Sequence, residues 1–228
     1  MTTTLQAQTV VSFGGADLIA RVAGTLWWPA RRVLAVADMH LGRAERMARQ
    51  GHGLLPPYET LDTLGRLEAE VAALSPRVVL SLGDSFDDLP AADALGEEVV
   101  TRLARLAAGR RLIWIAGNHD PGPIDLPGTY LEEAELGGLV FRHIAQRSDK
   151  RPEVSAHYHP KVRMMLRGRA ISRRCFAMSD CRLILPAFGA YTGGLDVRDR
   201  ALSDLIGPEA VTLVIDREVV ALPVAQLS

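Results

Sequence analysis

Only two cysteines occur in the 228 residues, and aromatic side chains make up 5% of the chain. Cys175 and Cys181 lack the CxxC spacing of a thiolate metal site and are too few for a disulfide-stapled scaffold. No apolar run approaches the ~18 residues of a membrane helix, and no basic stretch followed by an apolar core opens the chain. These absences lead us to expect a reduced, cytoplasmic protein that does not span a membrane. The formal net charge is −1, which argues against an overall electrostatic grip on a polyanion. What is present is ordinary for a globular chain, 48% hydrophobic and 23% charged, and the length suits one well-buried domain over residues 1–228.

The apolar residues fall into a repeated order. Val10 to Phe13 and Ala16 to Val22 flank Gly14-Gly15 and predict a hairpin, followed by a strand at Thr25 to Trp28 that Pro29 stops. Val33 to Ala37, Val78 to Leu82 and Leu112 to Ala116 are short continuous apolar runs, the pattern of strands buried on both faces. Helices are expected between them, over Leu41 to Arg49, over Glu59 to Leu74 with apolar positions 61, 64, 67, 71 and 74, and over Asp93 to Ala108. Residues 1–8 and the Gly51 to Pro57 segment are expected to be loosely held or loop. After Asn118 the pattern turns strand-rich, with strands expected at Leu139 to His143, Val154 to Ala156, Val162 to Leu166, Cys175 to Met178, Leu183 to Pro186, Val211 to Ile215 and Val219 to Leu222, and few helices. An α/β fold of two packed sheets with helices outside reconciles the two halves.

The chemistry-bearing residues collect where strands end. Asp38 and His40, Asp84 and Asp87, Asn118 and His119, and His157 and His159 form four clusters, with His143 between the last two. Residues two apart on extended chain point the same way, so Asp38 with His40, and His157 with His159, each address one site. Mixed carboxylate, imidazole and amide oxygen ligands suit divalent first-row ions. A shared carboxylate holds two cations ~3.5–4 Å apart, a spacing suited to activating a bridging hydroxide and binding phosphoryl oxygens.

In this order, Asp38-x-His40, Gly83-Asp84-x-x-Asp87, Gly117-Asn118-His119-Asp120 and His157-x-His159 resemble the calcineurin-like binuclear metallophosphoesterase superfamily. Asp38 to Gly42, Leu54 to Pro56, Leu82 to Phe86, His159-Pro160 and Leu185 to Leu195 further resemble the bacterial ligase-associated DNA damage response endonucleases, over roughly residues 10 to 222. The resemblance implies a four-layer αββα sandwich of two mixed β-sheets flanked by helices. It implies two divalent metal ions, manganese first with iron or zinc as alternatives. Asp38, His40 and His159 would hold the first, Asp84 would bridge, and Asn118, His143 and His157 would hold the second, leaving His119 as the catalytic histidine. Ala156 stands where the family pattern has glycine.

The remaining candidates have two readings each. Asp87 either orients a ligand or contacts substrate. Arg43, opening the helix after His40, either faces a phosphate or is a surface arginine. Asp120 either orients the His119 ring or starts the turn at Pro121. His52 is expected on a surface loop and Cys175 in the core. Between Arg142 and Arg174 stand ten basic residues against Asp149 and Glu153, a stretch that reads as a DNA track or as a solvated face. The expected function is hydrolysis of DNA phosphodiester bonds in repair, on single-stranded DNA, in association with a DNA ligase, helicase and exonuclease as the resemblance implies. The rivals are a phosphoesterase for a small phosphodiester or nucleotide, and a scaffold of the same fold without catalysis.

Overall fold

The computed structural model describes residues 8–53, 55, 56, 58–166 and 168–227, the Leu166 side chain excepted. The expectations for residues 1–7, Leu54, Pro57 and Arg167 lie outside the described residues. Strands β1 (Gln8–Phe13) and β2 (Ala16–Arg21) form the opening hairpin, and β3 (Leu26–Trp28) leads antiparallel into β4 (Val33–Val36). From there the chain alternates. Helices α1 (Arg43–Arg49) and α2 (Glu59–Leu74) precede β5 (Val78–Leu82), and α3 (Leu89–Asp93) and α4 (Glu97–Ala107) precede β6 (Arg111–Ile115). With β7 (Thr129–Leu131), these strands make one mixed sheet in sequence order, parallel from β4 to β7.

The second sheet comprises β8 (Glu133–Leu136), β9 (Leu139–Arg142), β10 (Glu153–Ser155), β11 (Lys161–Leu166), β12 (Arg169–Met178), β13 (Arg182–Ile184), β14 (Val211–Ile215) and β15 (Val219–Pro223). Its order is β15-β14-β12-β13-β10-β9-β8, with β9, β10 and β13 parallel and β11 paired only to β12. Helix α5 (Arg200–Ile206) covers the outer face through Leu202, Leu205 and Ile206. The architecture is therefore helices, sheet, sheet, helix, as expected.

The continuous apolar runs are explained by burial on both faces. In β4, Val33 and Ala35 enter the core between the sheets while Leu34 and Val36 enter the core beneath α2 and α4. In β5, Leu80 and Leu82 face the opposite sheet and Val79 the helices; in β6, Ile113 and Ile115 oppose Leu112 and Trp114. Alternate residues point to opposite faces of a strand, so a strand with apolar neighbours on both sides has no polar positions. Helix α2 supplies Leu64, Leu67 and Val71 to the helix-side core, in agreement with its periodicity.

Three expectations need correction. The helix expected over Asp93 to Ala108 is two helices, because Gly96 adopts an extended conformation and caps α4, while Asp88 caps α3 by accepting the Ala91 amide at 2.8 Å. Strand β12 begins at Arg169 rather than Cys175, since its first half is the outer arm of a ribbon with β11 and has no second sheet to make it apolar. Strands β7 and β8 and helix α5 were not expected; β7 and β8 carry no fully buried residue, so they leave little hydrophobic signal.

Leu80, 1% exposed between the sheets, is expected to cost about 2–5 kcal/mol on truncation to alanine. Val100→Ala on the outer side of α4, where Val100 is 37% exposed, should stay within about 0.5 kcal/mol. Urea unfolding of both variants measures the contrast.

Candidate metal centre

Asp38, Asp84 and Asn118-His119 follow the carboxyl ends of β4, β5 and β6, three neighbouring parallel strands. His143 and His157 follow β9 and β10 of the other sheet, so both sheets aim strand ends at one seam. The loops are laced together by main-chain hydrogen bonds: His40 N–H to Asp84 O at 2.9 Å, Leu41 N–H to Ser85 O at 2.9 Å, and Ala156 N–H to His143 O at 2.9 Å. Asp38, His40, Asp84, His157 and His159 all have left-handed φ, between 44° and 72°. For residues with a Cβ this costs free energy, and such strain gathers where the surroundings over-determine the backbone. Two glycines permit the close approach. A Cβ on Gly117 would meet Asp84 Oδ1 at 2.2 Å, and one on Gly83 would meet the His143 ring at 2.4 Å.

The side chains form two groups of metal-ligand type. Asp38, His40 and His159 bring donor atoms within 4.8 Å of one another, as do Asp84, His143 and His157. In the first group Asp38 Oδ1, His40 Nε2 and His159 Nε2 are buried without a hydrogen-bond partner, although His159 Nε2 lies 3.3 Å from Asp38 Oδ1. Buried polar atoms left unpaired are costly, and donor atoms about 3 Å apart are what two ligands ~2.0–2.2 Å from one cation require. In the second group His143 Nε2 lies 3.4 Å from Asp84 Oδ2, 3.3 Å from His157 Nδ1 and 3.0 Å from Asn118 Oδ1. His143 Nδ1 donates to Leu82 O at 2.9 Å, which leaves the Nε2 lone pair free for a cation. The residues present therefore fit a pair of divalent ions.

Electrostatics agree with that fit. Burial alone would raise the Asp84 carboxyl, but the His143 ring and the His119 amide, which donates to Asp84 Oδ1 at 2.9 Å, hold it below the usual carboxylate range. Burial works against a charged His143, yet the carboxylates of Asp84 and Asp38 pull its pKa up. Burial and the neighbouring His143 push His157 down, favouring the neutral form a ligand needs.

His119 stands outside both groups. Its Nδ1 is 2.8 Å from Asp87 O and 3.0 Å from Arg46 Nη1, and its Nε2 is 4.0 Å from Asp84 Oδ2. The Asp87 carboxylate is placed beside His40, with Oδ1 2.9 Å from Nδ1, and is engaged by Arg43 at 3.0 Å and Arg46 at 3.2 Å. His40, Asp87 and His119 also lie within ligand distance of one another. The two guanidiniums already neutralise Asp87, so we read it as the group that orients His40. Arg43 thus reaches the site through Asp87. Arg46 was not expected; its signal was its place three residues after Arg43, on the same face of α1.

Asp120 does not touch the His119 ring. It accepts the amides of Ser85 at 2.7 Å, Phe86 at 3.1 Å and Gly117 at 3.1 Å, and burial pushes its carboxyl up to about 7. It holds the loops after β5 and β6 together. Ala156 is fully buried in the inter-sheet core, so its methyl is accommodated. His52 lies exposed on a loop, and Cys175 is buried, where desolvation pushes its thiol up.

The sequence model for the calcineurin-like phosphoesterase family matches residues 31–168, more than half of the chain and all four clusters. The chain belongs to the calcineurin-like phosphoesterase family. Members of this family use divalent metals, in keeping with the two ligand groups. No curated protein matches the chain. Among solved structures, the Pseudomonas putida nuclease MPE is 27% identical, with a TM-score of 0.75 over 94% of this chain and 100% of that one. The phosphoesterase Yfce from E. coli is 14% identical, with a TM-score of 0.40 over 84% of this chain and 98% of that one. Among the described residues no helix is long and apolar enough to cross a membrane.

Asp84→Ala is expected to lower bound metal per chain, measured by elemental analysis, because Asp84 belongs to one ligand group and also secures the His119 amide. Arg46→Ala should retain metal but lose about 10–100-fold in turnover, the usual cost of removing a group that orients site residues. Unchanged turnover in a folded Arg46→Ala protein would assign its contacts to packing.

Proposed function

We propose that this phosphoesterase is a nuclease that hydrolyses phosphodiester bonds of single-stranded DNA, with manganese as the working ion and repair as its setting. The observation that carries this reading is the end-to-end likeness to the Pseudomonas putida nuclease MPE together with two groups of ligand-type side chains at one seam. Those groups also argue against the scaffold reading, since a fold that had lost catalysis would be free to lose ligands. Association with a ligase, helicase and exonuclease is part of the same proposal and rests on the resemblance of the motifs.

Divalent cations, when bound, supply Lewis acidity to phosphoryl oxygens and a nucleophile from water at neutral pH. Asp38, His40 and His159 would hold one and Asn118, His143 and His157 the other, with Asp84 between them. The chain's own contribution begins with His119. Asp87 O, 2.8 Å from His119 Nδ1, can only accept, so Nδ1 carries a proton, and it is the ring protonated on both nitrogens that has an N–H to give at Nε2, 4.0 Å from Asp84 Oδ2. From there Nε2–H donates to the departing oxygen as the phosphodiester opens. Asp87, held by Arg43 and Arg46, keeps the His40 ring from turning.

The basic stretch from Arg142 to Arg174 divides in two. Arg142 pairs with Asp149 at 2.8 Å and Glu133 at 3.1 Å, Arg147 with Asp204 at 3.5 Å, Arg151 with Asp149 at 2.7 Å, and Arg173 with Asp216 at 2.8 Å. Among the described residues Lys150, Lys161, Arg163, Arg169 and Arg174 have no carboxylate partner. All but Lys150 belong to the β11–β12 ribbon, which makes that element the first candidate for a DNA track.

With manganese, wild-type protein should cut single-stranded DNA faster than duplex and also cut a small aryl phosphodiester. His119→Ala should retain metal and lose about 10²–10⁴-fold in turnover on DNA, and less on an aryl diester, whose acidic leaving group needs little protonation. Aryl diester hydrolysis without any cutting of DNA would replace the nuclease reading by that of a small-molecule phosphodiesterase.

A further inference from the structure

The segment after β13 is fastened to the first ligand group at both ends. Phe188 N–H donates to Ala37 O at 2.8 Å and Gly189 N–H to Asp38 O at 3.0 Å, while Leu195 N–H donates to Tyr158 O at 3.2 Å, between His157 and His159. Ala190 N–H reaches Thr63 Oγ1 at 3.2 Å, and Thr192 Oγ1 donates to Gly189 O at 3.2 Å. The loop between these anchors is therefore a fixed rim of the metal centre. Tyr191 is two residues from Gly189, a span of at most about 7 Å of backbone.

Tyr191 is unusual in two respects. The residue is 53% exposed, and among the described residues its side chain has no hydrogen-bond partner and no aromatic neighbour. Its φ is 59°, in the left-handed region that a bulky side chain avoids. Of the eight non-glycine residues with such φ among the described residues, five are ligand candidates, and Arg32 and Ser75 end helical turns. Tyr191 is the eighth, and no helix ends there. Glycine follows at 193 and 194, and at 194 a Cβ would meet His159 O at 2.2 Å.

Cations surround the rim. Lys161 Nζ donates to Thr192 O at 3.2 Å and Arg174 Nη1 to Ala187 O at 2.9 Å, and each keeps further donors with no carboxylate to receive them. Arg66 lies over the Phe188 ring, 4.6 Å from its centroid. Their mutual proximity shows in the pKa values: burial and then the neighbouring guanidiniums push Lys161 down, and burial and then Arg66 push Arg174 down. An exposed ring beside unpaired positive charge is what a single-stranded polynucleotide requires, because unpaired bases offer faces to stack and phosphates offer charge.

We propose that the loop from Pro186 to Leu195 is a nucleotide-binding rim, in which Tyr191 stacks on an unpaired base next to the scissile phosphate and Lys161 takes the adjoining phosphate. The inference rests on the nuclease reading and adds to it the group that selects single strands. A base in a duplex has its faces covered by its neighbours, so Tyr191 discriminates against paired DNA without reading sequence.

The test compares KM for two single-stranded oligodeoxynucleotides in manganese, one carrying all its bases and one abasic around a fixed cleavage site. Wild-type protein should favour the base-bearing strand by about 5- to 100-fold, the range that one base–aromatic stack carries. Tyr191→Ala should remove most of that preference, and Tyr191→Phe should keep it. Tyr191→Gly, which suits the left-handed φ, should behave as Tyr191→Ala does and separates loss of the ring from misfolding of the loop. Lys161→Ala should weaken both strands alike. Equal KM values for the two strands in the wild type, or a Phe variant as impaired as the Ala variant, overturns the stacking proposal while leaving the nuclease reading in place. A wild-type protein that cuts an aryl diester but neither strand overturns both.

Discussion

A buried carboxylate at the seam of two sheets is the constraint on which the rest of the structure depends. Asp84 leaves β5 in a left-handed conformation, accepts the His119 amide from the loop after β6, and stands 3.4 Å from His143, which belongs to the opposite sheet. A single side chain thus touches the products of three strands from two sheets. Because an ionised carboxylate in a dry seam is costly, everything around it is arranged to supply positive charge or hydrogen-bond donors. The glycines at 83 and 117 exist in this setting because no Cβ fits against His143 or Asp84 itself.

The same seam explains why so much polarity is tolerated near the core. Asp38, Asp84, Asp87 and Asp120 are each 2% exposed or less, a density of buried acid that would be destabilising in isolation. Three solutions are visible. Asp120 is satisfied by backbone amides, Asp87 by two guanidiniums and the His40 ring, and Asp38 with Asp84 by imidazoles whose lone pairs converge. The last arrangement leaves Asp38 Oδ1, His40 Nε2 and His159 Nε2 without hydrogen-bond partners, and that is where a divalent ion fits. The division assigns different physics to residues that look alike in sequence.

Charge outside the centre follows a similar partition. Arg142 is almost fully buried and tied to acidic side chains around β8 and β10, so its charge is spent on holding the second sheet together. Strand β11 instead lies off the sheet path, and in its ribbon with β12 the cations Lys161, Arg163, Arg169 and Arg174 meet no carboxylate among the described residues, while Arg173 pairs with Asp216. Next to it lies the loop that carries Tyr191, joined to the ribbon through Lys161 and Arg174. Metal centre, rim and ribbon are thus mechanically continuous.

The sequence by itself determined strands β1 to β6 of the first sheet, the αββα layering and the clusters that carry chemistry. Burial on both faces forces uninterrupted apolar runs, and the family motifs sit at their ends. It could not reveal that Asp87 lies against His40 and Arg46 against His119, since α1 and the loop after β5 meet only in the folded chain. Nor could it divide ten basic residues into paired and unpaired ones, because their partners Glu133, Asp204 and Asp216 lie in other strands, helices and turns. The periodicity that betrays a helix or strand depends on which face meets the core. An ion pair or a shared cation depends on distances of 3–4 Å between segments up to 100 residues and more apart, as between Asp38 Oδ1 and His159 Nε2 at 3.3 Å, and only the tertiary structure sets those.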